Sequence, residues 1–286
     1  KEIAKRLNVS ASTVSRELKR NIGKRGYRYK QAQKKASTRR SNASNRPTKM
    51  LPYLKKEIVF HLTNTESSPE QIMGRIKESH GITISHETIY RFIYHDKKQG
   101  GTLYQSLRRR CKKYNKRAAK NAGRGLIPNR VDIDERPKIV EEKYRIGDLE
   151  IDTIMGAKHR GAIISVVDRA SKFTWLKLVK TKEAHVVARN MVNMLRPYKN
   201  FIKTITADNG KEFAKHQFIA KHLDADVYFA KPYHSWQRGL NEHTNGLVRQ
   251  YFPKGTNFLE IDHNHVQIVQ DKLNNRPRKI LNFKTP

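Results

Sequence analysis

Three apolar strands in direct succession, then helix, strand, helix and strand, occupy residues 147–230, and this order restricts the fold more than any other feature. The second strand, Ala162-Ile163-Ile164-Ser165-Val166-Val167-Asp168, is apolar on both faces, as a strand inside a covered sheet must be. The third, Phe173-Thr174-Trp175-Leu176-Lys177-Leu178-Val179, alternates, which suits an antiparallel edge. Thr181 is placed to cap a helix reaching about Tyr198, with Ala184, Val187, Met191 and Leu195 on one face. A fourth strand over 201–207, a helix over 212–223 and a fifth strand over 227–230 follow, then one helix carrying Glu242 and another near 262–274. Strands joined first directly and then through helices predict a mixed five-stranded sheet with helices on its faces.

Acids mark the ends of these elements. Asp148-Leu149-Glu150-Ile151-Asp152 lies on the first strand, Asp208 ends the fourth, and Glu242 opens the helix after the fifth. If the first and fourth strands are neighbours, Asp152 and Asp208 face each other and Glu242 reaches over the same edge. Three carboxylates supply the oxygen ligands that Mg²⁺ or Mn²⁺ requires. Two such ions about 3.5–4 Å apart activate an attacking oxygen and stabilise a leaving one in phosphoryl displacement. The period of two puts Asp148, Glu150 and Asp152 on one face, so periodicity alone does not choose among them. Each acid also has a plain structural reading: Asp208 before Asn209-Gly210 as a turn residue, Asp152 as an exposed strand acid, Glu242 as an early-helix acid favoured by the dipole.

Taken singly, each acid fits the plain reading better; the three jointly, beside a net charge of +34 on 286 residues that calls for a polyanion, shift the balance toward metal chemistry. The charge is unevenly spread: residues 1–130 hold 33 basic and 8 acidic residues, whereas residues 131–286 hold 27 and 18. The N-terminal part is therefore expected to do most of the DNA binding. No apolar run approaches the roughly 20 residues that cross a bilayer, so no membrane role is expected. Cys111 is the single cysteine, which excludes an internal disulfide and fits a reducing cytoplasm. The chain begins at Lys1, without Met and already in helical pattern, and reads as missing its true N-terminus.

Residues 1–22 read as a helix-turn-helix. Ile3, Ala4 and Leu7 form one stripe, Asn8-Val9-Ser10 breaks it, Ser10 or Ser12 caps the second helix, and Val14 and Leu18 face inward. Ser12, Thr13, Ser15, Arg16, Lys19 and Arg20 are left facing out, suited to the major groove. Residues 23–50 are expected to be a flexible basic linker. Residues 51–104 hold a second helical unit: Ser68 caps a helix with Pro69 at its first position, and Ser85 caps another whose His86 and Arg91 face out. This unit fits a second helix-turn-helix and a structural helical pair equally. Residues 105–140, with Arg108-Arg109-Arg110 and Lys112-Lys113, read as a second basic linker, and 141–286 as the acid-bearing domain.

Around Glu242, His234 and Trp236 are candidates for contact with a DNA end or for packing of their loop. Arg249, seven residues beyond Glu242 on the same helix face, could meet a phosphate or be solvated. Lys231 and Arg238 are weaker candidates of the same kind.

Several long segments together resemble the IS30 family of bacterial insertion-sequence transposases. They are residues 206–213 (Thr-Ala-Asp-Asn-Gly-Lys-Glu-Phe), 229–242 (ending Gln237-Arg238-Gly239-Leu240-Asn241-Glu242), 246–256 and 273–279. Ser12-Thr13-Val14-Ser15-Arg16-Glu17-Leu18 and Ser68-Pro69-Glu70-Gln71-Ile72 fit as well, so the resemblance runs over nearly the whole chain. The first strand departs from the family pattern at Leu149 and Ile151, where Trp and Gly are usual. The resemblance implies a multidomain protein with all-α helix-turn-helix modules and an α/β RNase H-like catalytic domain. It implies Asp152, Asp208 and Glu242 as catalytic metal ligands, with Mg²⁺ or Mn²⁺, two ions, as cofactor. It implies cleavage and 3′-hydroxyl transfer on double-stranded DNA, at terminal inverted repeats and a target, by a homo-oligomer on paired ends. A metal nuclease that does not join, and a regulator without catalysis, are the rivals.

Overall fold

A computed structural model describes residues 1–44, 50–108, 127–231 and 234–286; the side chains of residues 44, 159, 235 and 236 lie outside it. Cys111 and most of the basic run around it fall outside the described residues, as do Pro232, Tyr233 and the Trp236 side chain. No described helix is long and apolar enough to cross a membrane. The chain divides into two units, residues 1–53 and 54–286.

The first unit holds three helices: α1 (Glu2–Arg6), α2 (Ala11–Asn21) and α3 (Tyr29–Ser44). Ser10 caps α2, accepting from Thr13 N at 3.2 Å. Two expectations change here. The stretch expected to be a flexible linker is largely helical. Its Ala, Gln, Lys and Arg content supports a helix by propensity without an apolar stripe. It is tied back by Lys35 to the Ile22 carbonyl (2.8 Å) and Arg39 to Asn21 Oδ1 (2.7 Å). Leu18 is not inward but exposed, as are Ile3 and Leu7, while Ala4 is buried. Ala4, Asn21 and Ala32 are the buried residues of this unit among those described.

The second unit opens with α4 (Pro52–Thr63), α5 (Pro69–His80) and α6 (His86–Lys98). Ser68 and Gln71 form a reciprocal capping box with Pro69 at the first helical position, and Gly81 ends α5 in the left-handed conformation. Leu54, Ile58, Leu62, Ile72, Ile76, Ile89 and Ile93 are fully buried.

The sheet has six strands, not five: β1 (Val131–Asp132), β2 (Asp148–Met155), β3 (Ala162–Asp168), β4 (Thr174–Val179), β5 (Thr204–Ala207) and β6 (Asp226–Phe229), in the order β1-β6-β5-β2-β3-β4. The extra strand is two residues paired parallel to Tyr228 and Phe229, inside the region read as linker. A strand that short has no sequence period to detect. β2, β3 and β4 are antiparallel; β5, β6 and β1 run parallel to β2. Gly147, at φ 99°, admits β2 beside β5: a side chain there would strike the Phe201 carbonyl.

Helices cover both faces. α7 (Ala184–Leu195) and α8 (His216–Leu223) pack on Leu149, Ile151, Ile164 and Val166. Glu183, not Thr181, stands at the start of α7. α9 (Gly239–Tyr251) and α10 (His263–Asn274) pack on Ile154, Ile163, Leu176 and Leu178. The α4–α6 module docks on this second layer. Glu66 meets Lys272 at 3.1 Å and Arg276 at 3.6 Å, Gln71 donates to the Pro277 carbonyl at 2.8 Å, and Arg75 to that of Asn275 at 2.9 Å.

Candidate active site

Register brings the strand-end acids together. β2 and β5 run parallel with Glu150 level with Thr206, so Asp152 and Asp208 follow two residues further along each strand. Each carboxylate commits one oxygen to the backbone: Asp152 Oδ1 accepts from Thr153 N, and Asp208 Oδ1 from Gly210 N, both at 2.8 Å. The remaining oxygens turn to one cation. Arg238 Nη2 donates to Asp208 Oδ2 at 3.2 Å, and Nη1 lies 3.6 Å from Asp152 Oδ2. Nη1 also donates to the Ile151 carbonyl at 3.2 Å. From α9, Asn245 Nδ2 donates to Asp152 Oδ2 at 2.9 Å while its Oδ1 accepts from Ser165 Oγ at 2.7 Å.

The other two acids on this face of β2 are committed elsewhere. Asp148 is held by Arg145 at 2.7 and 3.0 Å and by Thr204 Oγ1 at 2.8 Å. Glu150 is buried against Arg169 Nη1 at 2.8 Å and accepts from Asn241 N, in the first turn of α9, at 3.0 Å. Asp152 alone keeps an oxygen turned to the acid across from it.

Glu242 is exposed in the first turn of α9 and makes no hydrogen bond or ion pair with the described residues. Asn241 takes the inward position, about 100° away around the helix. Among the described residues, no three His, Cys, Asp or Glu side chains converge as a metal site. Asp152 and Asp208 are thus brought together, and Glu242 is not joined to them here. The Asn241 carboxamide is fully buried and has no hydrogen-bond partner among the described residues. An unmade bond of that kind costs about 1–3 kcal/mol.

A helix-turn-helix family model matches residues 1–21, and the integrase core domain model matches residues 145–235. The transposase for insertion sequence element IS4351 of Bacteroides fragilis is 52% identical over 288 residues, covering 100% of this chain and 88% of that protein. Transposase InsI for insertion sequence element IS30A of Escherichia coli K12 is 34% identical, covering 99% of this chain and 76% of that protein. The chain belongs to the IS30 family of transposases. A looser likeness is to the catalytic core domain of BIV integrase, at 18% identity and TM-score 0.36 over 45% of this chain and 83% of that one.

The transposase therefore carries a DNA-binding helix-turn-helix and an integrase core of the RNase H-like polynucleotidyl transferase type. On α2, the side chains of Ser12, Thr13, Ser15, Arg16, Lys19 and Arg20 are all exposed. The Ser12 and Thr13 hydroxyls meet Ser10 Oγ at 2.9 and 2.8 Å, and Arg16 reaches back to Ser12. On α6, His86 lies edge-on to Tyr90, and Arg91 is 3.5 Å from Glu87; both are exposed. His234 is half-buried in the loop before α9. Arg249 is half-buried. Its guanidinium donates to the Met155 carbonyl at 2.7 Å and to those of Phe252 and Pro253 at 3.4 Å. It braces the end of α9 against the end of β2.

Three side chains at the acid pair carry more weight than their sequence signals. Arg238 was a minor candidate. Asn245 follows Glu242 at helical spacing i, i+3, a signal that could have found it. Glu212 accepts from Thr153 Oγ1 at 2.8 Å; nothing in its spacing to Asp152, on a distant strand, marks it.

Transposases and integrases of this type generally use divalent metal ions. The donor set fits: two carboxylates, each with one oxygen held by the backbone and the other aimed at a shared cation, suit a hard ion. Burial pushes the Asp152 carboxyl from 3.8 up to about 6; Arg238 opposes the rise, and Asp208 and Glu212 add to it. The folded-state value lies above the unfolded one. Asp152 therefore favours the folded state at low pH, and that contribution is lost as pH rises from about 4 through about 6. Asp152→Asn removes the buried charge but also weakens the contact with Arg238. A net gain of about 1–2 kcal/mol is expected at about pH 8, raising the unfolding midpoint by several degrees. The gain should vanish near pH 4, as read by thermal melts at both pH values.

Proposed function

We propose that this transposase binds the terminal inverted repeats of an insertion sequence, cleaves DNA at the element end and joins the freed 3′-hydroxyl to a target strand. The observation that carries this reading is the Asp152–Asp208 pair, adjacent across parallel strands with one oxygen of each facing a common cation. Asp152, Asp208 and Glu242 would hold Mg²⁺ or Mn²⁺, as two ions. The metal supplies activation of the attacking oxygen and offsets charge on the leaving one. Asp152 and Asp208 act as carboxylates, and Asn245 keeps the Asp152 oxygen in place through Ser165. Water first displaces the 3′-oxygen of the element end from phosphorus; that 3′-hydroxyl then displaces a 3′-oxygen of the target. Both are in-line displacements at phosphorus, so one site serves both.

Glu242 joins the acids through movement of the first turn of α9, the turn whose Asn241 carboxamide has no hydrogen-bond partner among the described residues. Ser12, Thr13, Ser15, Arg16, Lys19 and Arg20 of α2 read DNA in the major groove. His86 and Arg91 give the α4–α6 module a second DNA contact, and His234 and Trp236 approach the DNA end. The protein acts as a homo-oligomer on paired ends, in the bacterial cytoplasm on the nucleoid.

The test is incubation of the chain with a labelled duplex carrying the element end, a target plasmid and Mg²⁺. Joined product is the expected result. Cut product without joining makes the protein a nuclease, and binding without either makes it a regulator; both overturn the proposal.

A further inference from the structure

The oxygens that Arg238 contacts, Asp152 Oδ2 and Asp208 Oδ2, are the two that the backbone leaves free. A divalent ion ligated by this pair needs the same oxygens at about 2.0–2.1 Å, a position the guanidinium denies it by both space and like charge. We infer that Arg238 is the exchangeable counter-cation of the acid pair: it competes with the divalent ion for these two oxygens and thereby sets the affinity for metal. The inference rests on the reading of Asp152 and Asp208 as metal ligands.

Three observations make Arg238 a replaceable partner rather than a fixed one. Its hold on the acids is loose, one contact per carboxylate at 3.2 and 3.6 Å beside one hydrogen bond to the Ile151 carbonyl at 3.2 Å, where Arg145 grips Asp148 with two nitrogens at 2.7 and 3.0 Å. It immediately precedes α9, and among the described residues nothing lies within 4 Å of where a Cβ on the adjacent Gly239 would stand, so no described group blocks a shift of the backbone there. The turn it leads into has the buried Asn241 carboxamide, which has no hydrogen-bond partner among the described residues, so that turn has hydrogen bonds to gain by moving. The same turn carries Glu242, which links the departure of Arg238 to the arrival of the third acid.

The experiment is titration of the full chain with Mn²⁺ alone, following free Mn²⁺ by electron paramagnetic resonance, for the unsubstituted protein, Arg238→Gln, Arg238→Lys and Asp208→Asn. Removing one charge-assisted partner should tighten Mn²⁺ binding by about tenfold in Arg238→Gln. Arg238→Lys, which keeps the charge, should stay near the unsubstituted value. A merely structural Arg238 would give unchanged or weaker binding in Arg238→Gln, and that result overturns the inference. Asp208→Asn separates the two levels. Undiminished Mn²⁺ binding there refutes the metal-ligand reading itself. Lost binding there, without tightening in Arg238→Gln, refutes the role of Arg238 alone. If Arg238→Gln does not fold by circular dichroism, Arg238→Ala and Arg238→Met give the same comparison without the charge.

Discussion

Asp208→Asn is expected to abolish cleavage and joining while DNA binding stays intact. The substitution is isosteric. Its amide oxygen can still accept from Gly210 N, so the turn after β5 survives, but the oxygen that faces Arg238 becomes an NH₂ group. That group repels the guanidinium and cannot ligate a cation. Metal ions in such sites lower the barrier by several kcal/mol, so loss of a ligand should slow both steps by at least about 10³-fold. Rates from the labelled-end assay and affinity from a gel-shift titration give the two readouts. Retention of even a tenth of the joining rate would remove Asp208 from the site. Weakened DNA binding would instead point to a folding defect.

The largest effect on stability is expected from Arg169→Met. Arg169 and Glu150 form an ion pair at 2.8 Å with both side chains 2% exposed, and Arg169 also reaches Glu141 at 3.2 Å. Removing the guanidinium leaves Glu150 charged and buried between β2 and the first turn of α9, where its remaining partner is Asn241 N. Breaking one side of such a pair costs about 3–5 kcal/mol. Equilibrium urea unfolding of the single variant measures it. The double variant Glu150→Gln, Arg169→Met should recover most of the loss, since no unpaired charge remains and the amide oxygen still accepts from Asn241 N. A single-variant cost below about 1 kcal/mol would show that water reaches Glu150.

Legibility in the sequence followed the length of the signal. Five strands, the caps at Ser68 and Ser85 and the order of elements were readable, because each is written by periodicity or by local hydrogen bonding over several residues. β1 was not, because two residues show no period, and its pairing with β6 is made across almost 100 positions. α3 was mistaken for a linker because it lacks an apolar stripe, though its composition favours helix. Leu18, placed inward by helical spacing, is exposed, because spacing groups residues on a face without saying which face another element covers. Arg249 shares a face with Glu242 by helical spacing, yet helical spacing is blind to the carbonyls of Met155, Phe252 and Pro253 that hold it.

On its own, the sequence determined that acids close three separate elements of a mixed sheet in a strongly basic chain. Alternation along β2 then placed Asp148, Glu150 and Asp152 on one face and could go no further, since all three are equivalent to a period of two. Tertiary structure decided among them by partners that lie up to 91 positions away in the chain. Arg145 and Thr204 take Asp148, and Arg169 and Asn241 take Glu150. Asp152 is left opposite Asp208, with Arg238 between them. Which carboxylate stays free is a matter of which cations and amides pack around it, and that is settled only when distant segments meet.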